Sequence, residues 1–257
     1  MKTSLSVTLA LSLSLSALMA HAADKPTSVK LCYENEDFYP WVLKSKPGLN
    51  IILLNAVEQK LGVKLELVGL PWKRCQNEMA TGAVDGLFSA SFKTERMEIG
   101  TYPMVGTQPD ESKALMRDGY TLYRLKGSPV EWDGKKLTAS GAIGTQPGYS
   151  IADQLKALGA KVDDGGRTAD DNFRKLMAGR VDAVALMSLE GENTLTTKPE
   201  FSTKIEKVAP ALVDKPYYLM LSKQFVAKYG DFAKEIWNTA AQVRDSADFK
   251  AKANNFK

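Results

Sequence analysis

Apolar and polar positions alternate along the first third of the chain in blocks that predict strands and helices in turn. Residues 49–61 repeat apolar side chains at helical spacing, and Gly62 follows as a typical helix-ending residue. Residues 63–68 alternate as a strand does, and Pro71 suits the first turn of a helix. The block predicts a βαβαβ unit, with elements at residues 29–33, 49–61, 63–68, 71–80 and 84–88.

A second block repeats the first. Residues 61–91 and 158–188 align without a gap and are identical at eight of 31 positions, where roughly two identities are expected from average residue usage. Asp85 and Asp182 occupy equivalent places in the two copies, so we expect both to be structural. The second copy predicts elements at residues 137–143, 149–158, 160–162, 168–178 and 181–186, with Thr168 as a helix cap.

Strands that alternate with helices form parallel sheets with right-handed connections, so each block predicts a strand order of 2-1-3. In that order, the helix between the second and third strands passes over the first strand. Cys75 lies early in this helix and Cys32 lies late in the first strand, so both should lie near the carboxyl edge of the sheet. In an oxidising compartment they predict a Cys32–Cys75 disulfide, with two buried free thiols as the alternative.

Two segments connect the blocks. Residues 113–125 hold two short apolar runs around the turn signal Asp118-Gly119, and residues 211–221 are rich in apolar and aromatic side chains. The chain therefore predicts two similar α/β lobes joined by two strands. We expect a first lobe at residues 23–115 and 218–257, a second lobe at 116–217, hinges near 112–125 and 210–221, and amphipathic helices at 223–229 and 231–244.

The first residues have the pattern of a secretory signal peptide. Lys2 precedes an apolar, serine-containing run over residues 5–19, and Ala20-His21-Ala22 is a small-residue cleavage site. The alternative, a membrane anchor, needs a longer and less serine-rich run. We expect residues 1–22 to be removed near Ala22 and the product to be soluble and periplasmic, without membrane insertion.

The amino-acid composition excludes several kinds of catalytic and metal-binding site. The single histidine, His21, falls in the predicted signal peptide, which excludes histidine-based catalysis and histidine-ligated metals in the mature chain. Two cysteines are too few for thiolate zinc or iron–sulfur sites, and a dispersed net charge of +4 does not indicate nucleic acid. We expect no metal and no cofactor. Since Arg, Lys, Asp and Glu do not usually titrate near neutrality, we also expect ligand affinity to be nearly flat from about pH 6 to 8.

Several short motifs follow one another along the chain, and their order and spacing are informative together. They are Gly48-Leu49-Asn50-Ile51, Gly82-Ala83-Val84-Asp85-Gly86, Lys93-Thr94-Glu95-Arg96, Tyr102-Pro103, Gly179-Arg180-Val181-Asp182-Ala183 and Tyr217-Tyr218-Leu219. With them the chain resembles the extracellular solute-binding proteins of family 3, the polar-amino-acid type that supplies ABC importers. The resemblance implies the type II periplasmic-binding-protein fold, with two Rossmann-like α/β lobes joined by two crossover strands. It also implies a monomer that is not an enzyme, and that delivers a small polar solute to an inner-membrane ABC permease.

The resemblance places a ligand site at the carboxyl ends of the strands, where open α/β sheets bind ligands. Arg96 is the strongest candidate, because a guanidinium binds a carboxylate through two parallel hydrogen bonds; a solvated surface arginine is the alternative. Ser89 and Ser91 correspond to a stretch that offers backbone groups and a hydroxyl to the ligand. Trp72 begins a helix, and two locations stay open for its side chain: the cleft, and the core, which an aromatic residue at a helix start favours. The family also uses an aromatic side chain after the first strand, for which the candidates are Phe38, Tyr39 and Trp41.

In the second lobe, Gly148, Tyr149 and Ser150 open a helix, and their backbone N–H groups are expected to help bind a carboxylate, with Tyr149 as a lid. Simple capping is the alternative. Amino-acid binders of the family usually carry an aspartate for the ligand's ammonium where this chain has Met187, which is itself a candidate ligand-binding residue by its position. The missing acid leaves two ligand classes open: an α-amino acid, and a carboxylate or polar solute without an α-ammonium.

Two other functions stay open. The first is an enzyme on the same scaffold, similar to periplasmic cyclohexadienyl dehydratases. That chemistry needs a general acid, for which Glu190 is the candidate in this segment. The second is a receptor whose liganded lobes bind a sensor or chemotaxis protein instead of a permease.

Overall fold

The computed structural model describes residues 25–256, so the predicted signal peptide and its cleavage site lie outside the described residues. The strands are β1 (Ser28–Glu34), β2 (Lys64–Leu70), β3 (Gly86–Ser91), β4 (Gly100–Thr101), β5 (Met104–Val105), β6 (Gln108–Pro109), β7 (Met116–Leu125), β8 (Glu131–Trp132), β9 (Leu137–Thr138), β10 (Ala142–Gly144), β11 (Lys161–Asp163), β12 (Ala183–Met187) and β13 (Ile205–Ser222).

The helices begin and end between these strands. They are α1 (Leu49–Leu61), α2 (Trp72–Thr81), α3 (Ile151–Ala157), α4 (Ala169–Met177), α5 (Ser188–Thr197), α6 (Pro199–Ser202), α7 (Lys223–Asp245) and α8 (Ala247–Asn254). Short 3-10 turns occupy Thr94–Glu98 and Glu111–Lys113. None of the described helices combines the length and the apolar character needed to span a membrane.

The main sheet has the strand order β11-β10-β12-β7-β13-β3-β1-β2, with β4 paired to β13. The order β2-β1-β3 at one end and β11-β10-β12 at the other confirms the 2-1-3 order predicted for each repeat. Strands β1, β2 and β3 pair in parallel, as do β10, β11 and β12. Each repeat is therefore one α/β lobe, and the carboxyl ends of its strands lie at one edge.

Strands β7 and β13 connect the two lobes and pair with each other in antiparallel fashion, from Ile205 opposite Leu125 to Tyr217 opposite Met116. The predicted turn at residues 118–119 is wrong, because both residues lie inside the continuous strand β7. A Cβ at Gly119 would lie 2.7 Å from the backbone oxygen of Val213, so the glycine permits the close approach of β13. The exact lobe boundaries stay a prediction.

Local signals set most helix ends. Helix α1 matches its predicted range, and Gly62 follows it with φ of 64°. Thr168 caps α4 as predicted, in a reciprocal capping box with Asp171. Pro71 precedes α2 instead of occupying its first turn. The two predicted C-terminal helices are joined in α7 across a non-helical Tyr229.

Helices α5, α6 and α8 were not predicted from the sequence. The buried positions of α5 are Glu190, Gly191 and Thr194, so this helix has no apolar stripe for a periodicity to reveal. Its packing depends instead on close contact, since a Cβ at Gly191 would lie 2.6 Å from the ring of Tyr123.

The Cys32–Cys75 disulfide is confirmed, with a Cα–Cα distance of 5.7 Å. It joins the end of β1 to α2 inside a buried cluster that also contains Met79, Tyr102 and Tyr218. The bond therefore ties the helix that begins at Trp72 to the central strand of the first lobe.

The two equivalent aspartates are structural, as predicted. The Asp85 carboxylate accepts a hydrogen bond of 2.7 Å from the backbone N–H of Lys30, at the start of β1. In the second lobe, the Asp182 carboxylate accepts hydrogen bonds from the backbone N–H groups of Ser140 and Gly141, ahead of β10. In both copies the acid holds the loop before the third strand against the first strand.

Candidate functional site

A small cavity of about 30 Å³ lies between the lobes, well below the volume of most small-molecule sites. It is bounded by the carboxyl end of β3 on one lobe and by the segment before α3 on the other. Seven of the ten predicted ligand-binding residues line it: Phe38, Ser89, Ser91, Arg96, Tyr149, Ser150 and Met187. Four further side chains complete the walls: Glu34, Trp72, Tyr120 and Tyr217.

Arg96 lies in the 3-10 turn that follows β3, and its side chain is 6% exposed. Its guanidinium donates to the backbone oxygen of Ser91 at 2.8 Å, to that of Gly148 at 3.2 Å and to Gln76 Oε1 at 3.4 Å. It also lies 5.4 Å from the centre of the Trp72 ring. Within residues 25–256, no carboxylate lies within 4 Å of it, so Arg96 is a buried cation without a counter-ion.

The end of β3 departs from regular strand geometry at the cavity. Ser89 has φ of 66°, a left-handed conformation that a residue with a side chain rarely adopts. The pairing of β3 with β13 shifts register between Tyr218 and Met220, beside this residue. Ser89 Oγ accepts a hydrogen bond of 2.8 Å from Asn50 Nδ2, whose own Oδ1 is buried without a partner in the described structure. The strained backbone is typical of functional sites.

The lobes are in direct contact across the cavity, so the structure is closed. Ser91 Oγ donates to Ser150 Oγ at 2.9 Å, and Arg96 reaches the Gly148 backbone as described. A Cβ at Gly148 would lie 3.0 Å from Lys73 Cγ, and its φ of 77° also favours glycine. Gly148 thus contributes a carbonyl oxygen to the site, where the sequence predicted N–H donors.

The aromatic residues after β1 point in different directions. Residues Phe38 and Val42 exchange backbone hydrogen bonds of 2.8 and 2.9 Å, which makes a tight turn and separates neighbouring side chains. Phe38 lines the cavity, whereas Tyr39 packs near Phe256, with ring centroids 6.2 Å apart. Trp41 Nε1 donates to Asp118 Oδ2 at 3.2 Å. The structure therefore does not bring Tyr39 and Trp41 into the cavity.

Sequence reasoning missed four contributors or underrated them. Trp72 is buried, as a core residue is, and it also lines the cavity. Tyr120 and Tyr217 come from the crossover strands, and Tyr217 Oη donates to Met187 Sδ at 3.0 Å. Glu34 ends β1, where a polar residue after an apolar run was the available signal.

The ionisable groups at the site are perturbed by burial. Burial raises the pKa of the Glu34 carboxyl, against hydrogen bonds from the backbone N–H groups of Trp72 and Glu36. The pKa of Lys215 is lowered to about 8, mainly by burial and to a smaller extent by the positive charges of Arg96 and Lys93. Among the described residues, no three metal-binding side chains lie together.

Glu190, the candidate acid of the enzyme alternative, is not among the residues that line this cavity. Its oxygens accept hydrogen bonds from Gln146 Nε2 at 3.1 Å and from the backbone N–H of Ala169 at 3.3 Å, the first residue of α4. Burial raises the pKa of Glu190 to about 8. The side chain is thus a buried partner of α4.

No protein-family model matches the chain, and no curated protein matches it. Solved structures do match. The ligand-binding core of GluR0 from Nostoc punctiforme, in complex with L-glutamate, has 14% identity and a TM-score of 0.70, over 89% of this chain and 98% of that one. An ancestral arginine-binding protein bound to arginine has 20% identity and a TM-score of 0.70, over 90% and 98%.

A histidine kinase sensor domain with similarity to periplasmic binding proteins also matches, with 14% identity and a TM-score of 0.70 over 89% of this chain and 95% of that one. Of these three structures, two contain a bound amino acid and one is a sensor domain. At these identities the likeness is one of fold. The chain has the fold of the periplasmic binding proteins, with two α/β lobes joined by two crossover strands.

Proposed function

We propose that this protein captures a small solute bearing a carboxylate, which it encloses between its two lobes. The observation that carries the proposal is Arg96, a buried guanidinium that faces the cavity and has no carboxylate partner among the described residues. A charge that is taken out of water without a partner is costly, and an anionic ligand in the cavity would offset that cost.

The walls of the cavity suit the rest of such a solute. The aromatic side chains of Phe38, Trp72 and Tyr149 line the cavity together with the polar side chains of Arg96 and Ser91. Rings of this kind contact apolar groups over a large area. The site thus combines an anion-binding end with an apolar wall, as most small-molecule sites do.

We further propose that the protein works in the periplasm and delivers its solute to an inner-membrane ABC permease, as a monomer. The family resemblance supports this partner. So does the likeness to the substrate-binding protein of an amino acid ABC transporter, with 18% identity and a TM-score of 0.64 over 89% of this chain.

A receptor role is the second candidate, because a histidine kinase sensor domain shares the fold. Loss of solute uptake in a strain that lacks the protein would support the permease. Intact uptake together with a lost response to the solute would support the receptor.

The test of capture is isothermal titration calorimetry of the purified protein without residues 1–22, against a panel of small carboxylates and amino acids. Replacing Arg96 with Ala removes charged hydrogen bonds of about 1.5–3 kcal/mol each, so affinity should fall at least about tenfold. Arg74→Ala is the matched control, because Arg74 is exposed on α2 and pairs with Glu78. Unchanged affinity in the Arg96 variant would remove this residue from the site, and no binding by any panel member would refute the proposal.

A further inference from the structure

We propose that Lys215 is a second cation of this binding site, and that the solute is a carboxylic acid without an ammonium group beside its carboxylate. This inference rests on the proposed function and goes further, because it names the class of the solute and a residue that selects it.

The geometry places Lys215 next to the anion-binding end of the cavity. Its Nζ lies 3.1 Å from Ser150 Oγ and 5.5 Å from the centre of the Tyr120 ring, and both of these residues line the cavity. Ser150 Oγ in turn accepts the hydrogen bond from Ser91 Oγ, and Arg96 Nη1 lies 3.5 Å from the same Ser91 Oγ. A continuous row of polar groups therefore runs from one cation to the other, across the boundary between the lobes.

The charges around Lys215 are unbalanced. In the described part of the chain, no carboxylate lies within 4 Å of its ammonium, whereas the neighbouring Lys93 pairs with Asp153. Lys215 is half-buried and Arg96 is buried, so the two unpaired cations repel each other with little screening by solvent. An anionic group bound beside the two serines would contact both cations, and would hold the lobes together because it touches residues of each.

An α-ammonium does not fit this arrangement. In an α-amino acid the ammonium is one carbon away from the carboxylate, so it would lie within a few ångströms of the same two cations. Glu34 is an acid that lines the cavity, but burial raises the pKa of its carboxyl and so disfavours the charged form that an ammonium would pair with. Met187 stands where family members carry an acid. Its side chain is uncharged, and its sulfur accepts a hydrogen bond from the Tyr217 hydroxyl.

The titration of Lys215 supplies a direct readout. Burial and the charges of Arg96 and Lys93 lower its pKa to about 8, while Asp153 acts in the opposite direction. A bound anion favours the charged ammonium and raises its pKa, so anion binding near pH 8 should take up protons. Affinity should be flat below the pKa of the free protein and should decrease above it, which replaces the flat profile expected from composition.

Few other titratable groups share the surroundings of Lys215. Asp118 lies opposite it in the pairing of β7 with β13, and its carboxylate accepts hydrogen bonds from Trp41 Nε1 and the Gly119 N–H. Burial raises the pKa of Asp118 to about 6, so most of its titration lies below the range of pH 7 to 8 in which Lys215 is measured. The pKa of Tyr120 is raised by burial, so its hydroxyl stays neutral near pH 8. Burial likewise raises the pKa of the Tyr217 hydroxyl.

The experiment uses pairs of compounds that differ by one ammonium group. They are succinate and L-aspartate, glutarate and L-glutamate, and phenylacetate and L-phenylglycine. Each is titrated calorimetrically into the mature protein at pH 7 and pH 8, in two buffers of different ionisation enthalpy, so that proton uptake is measured. The variants are Lys215→Met and Lys215→Arg. The control is Lys207→Met, an exposed lysine of the same strand that pairs with Glu192.

We expect at least one plain acid to bind about tenfold or more tightly than its amino partner. Lys215→Met should weaken that binding by about tenfold and abolish proton uptake at pH 8, and Lys215→Arg should keep affinity while it also abolishes proton uptake. Tighter binding of the amino partners, with Lys215→Met like the Lys207→Met control and Arg96→Ala still damaging, would overturn this inference and leave the proposed capture intact. Failure of all six compounds to bind would count against both.

Discussion

Glu190 is a buried acid whose titration should be visible in the stability of the protein. Its side chain is 5% exposed and accepts hydrogen bonds from two neutral groups, the Gln146 amide and the backbone N–H of Ala169. Among residues 25–256, no lysine or arginine lies within 4 Å of its carboxylate. Burial is the first cause that raises its pKa, from 4.5 to about 8.

The size of the effect follows from linkage between protonation and folding. Because the folded state holds the Glu190 proton more tightly than the unfolded chain does, this residue stabilises the fold fully below pH 4.5, and the contribution is lost as the pH rises to about 8. At 1.36 kcal/mol per pKa unit, the loss is roughly 3 kcal/mol by pH 7 and roughly 4 kcal/mol by pH 8. Asp118, whose pKa burial raises to about 6, adds a loss of the same sign at lower pH.

The perturbation is Glu190→Gln, which keeps the shape of the side chain and removes its charge. In the described structure, Gln146 Oε1 has no hydrogen-bond partner. If the Gln146 amide rotates, this oxygen accepts a hydrogen bond from the NH₂ group of the glutamine introduced at position 190. Urea unfolding of wild type and variant at pH 5, 6, 7 and 8 measures the free energy of unfolding. Glu192→Gln is the control, since Glu192 is exposed and pairs with Lys207.

We expect wild type and the Glu190 variant to differ by less than about 1 kcal/mol at pH 5, and the variant to be more stable by about 3–4 kcal/mol at pH 8. Parallel pH profiles would refute the reasoning. A variant that is less stable at pH 8 would mean that the folded protein needs the ionised acid.

Two further changes test the fold by urea unfolding. Replacing both Cys32 and Cys75 with Ala removes a cross-link between residues 43 positions apart, and the chain-entropy model predicts a loss of about 4 kcal/mol; an equally stable variant would contradict the structural role of the bond. Gly119→Ala should cost about 1–3 kcal/mol, because its Cβ would lie 2.7 Å from the Val213 oxygen, whereas Gly230→Ala meets open space and serves as control; equal effects would argue against the close contact of β7 and β13.

Most of the fold could be predicted from local pattern and repetition. Helix α1 carries its own period and ending glycine, and the repeat exposed the second lobe although its strands are short. The disulfide followed from topology, since the 2-1-3 order places Cys75 over Cys32. The shared location of Ser91, Arg96 and Ser150 followed in the same way, because the carboxyl ends of parallel strands meet at one edge of each lobe.

Other features depend on contacts between distant segments. Asp118 and Gly119 have the local chemistry of a turn, yet strand pairing with β13 and the Trp41 indole make them part of an extended strand. Helix α5 has no apolar stripe, so only its packing against neighbours reveals it. In the loop after β1, a tight turn at Phe38 decides which aromatic side chain reaches the cavity.

The sequence by itself determined the α/β repeat, the two crossovers, the disulfide and the arginine at the edge of the first lobe. These depend on periodicity, spacing and residue type, which are properties of short segments. The tertiary structure decided the electrostatics of the site. Burial lowers the pKa of Lys215 and raises that of Glu190, and Arg96 has no counter-ion within the described residues. A charge responds to what surrounds it within several ångströms, and in a folded chain most of those groups are remote in sequence.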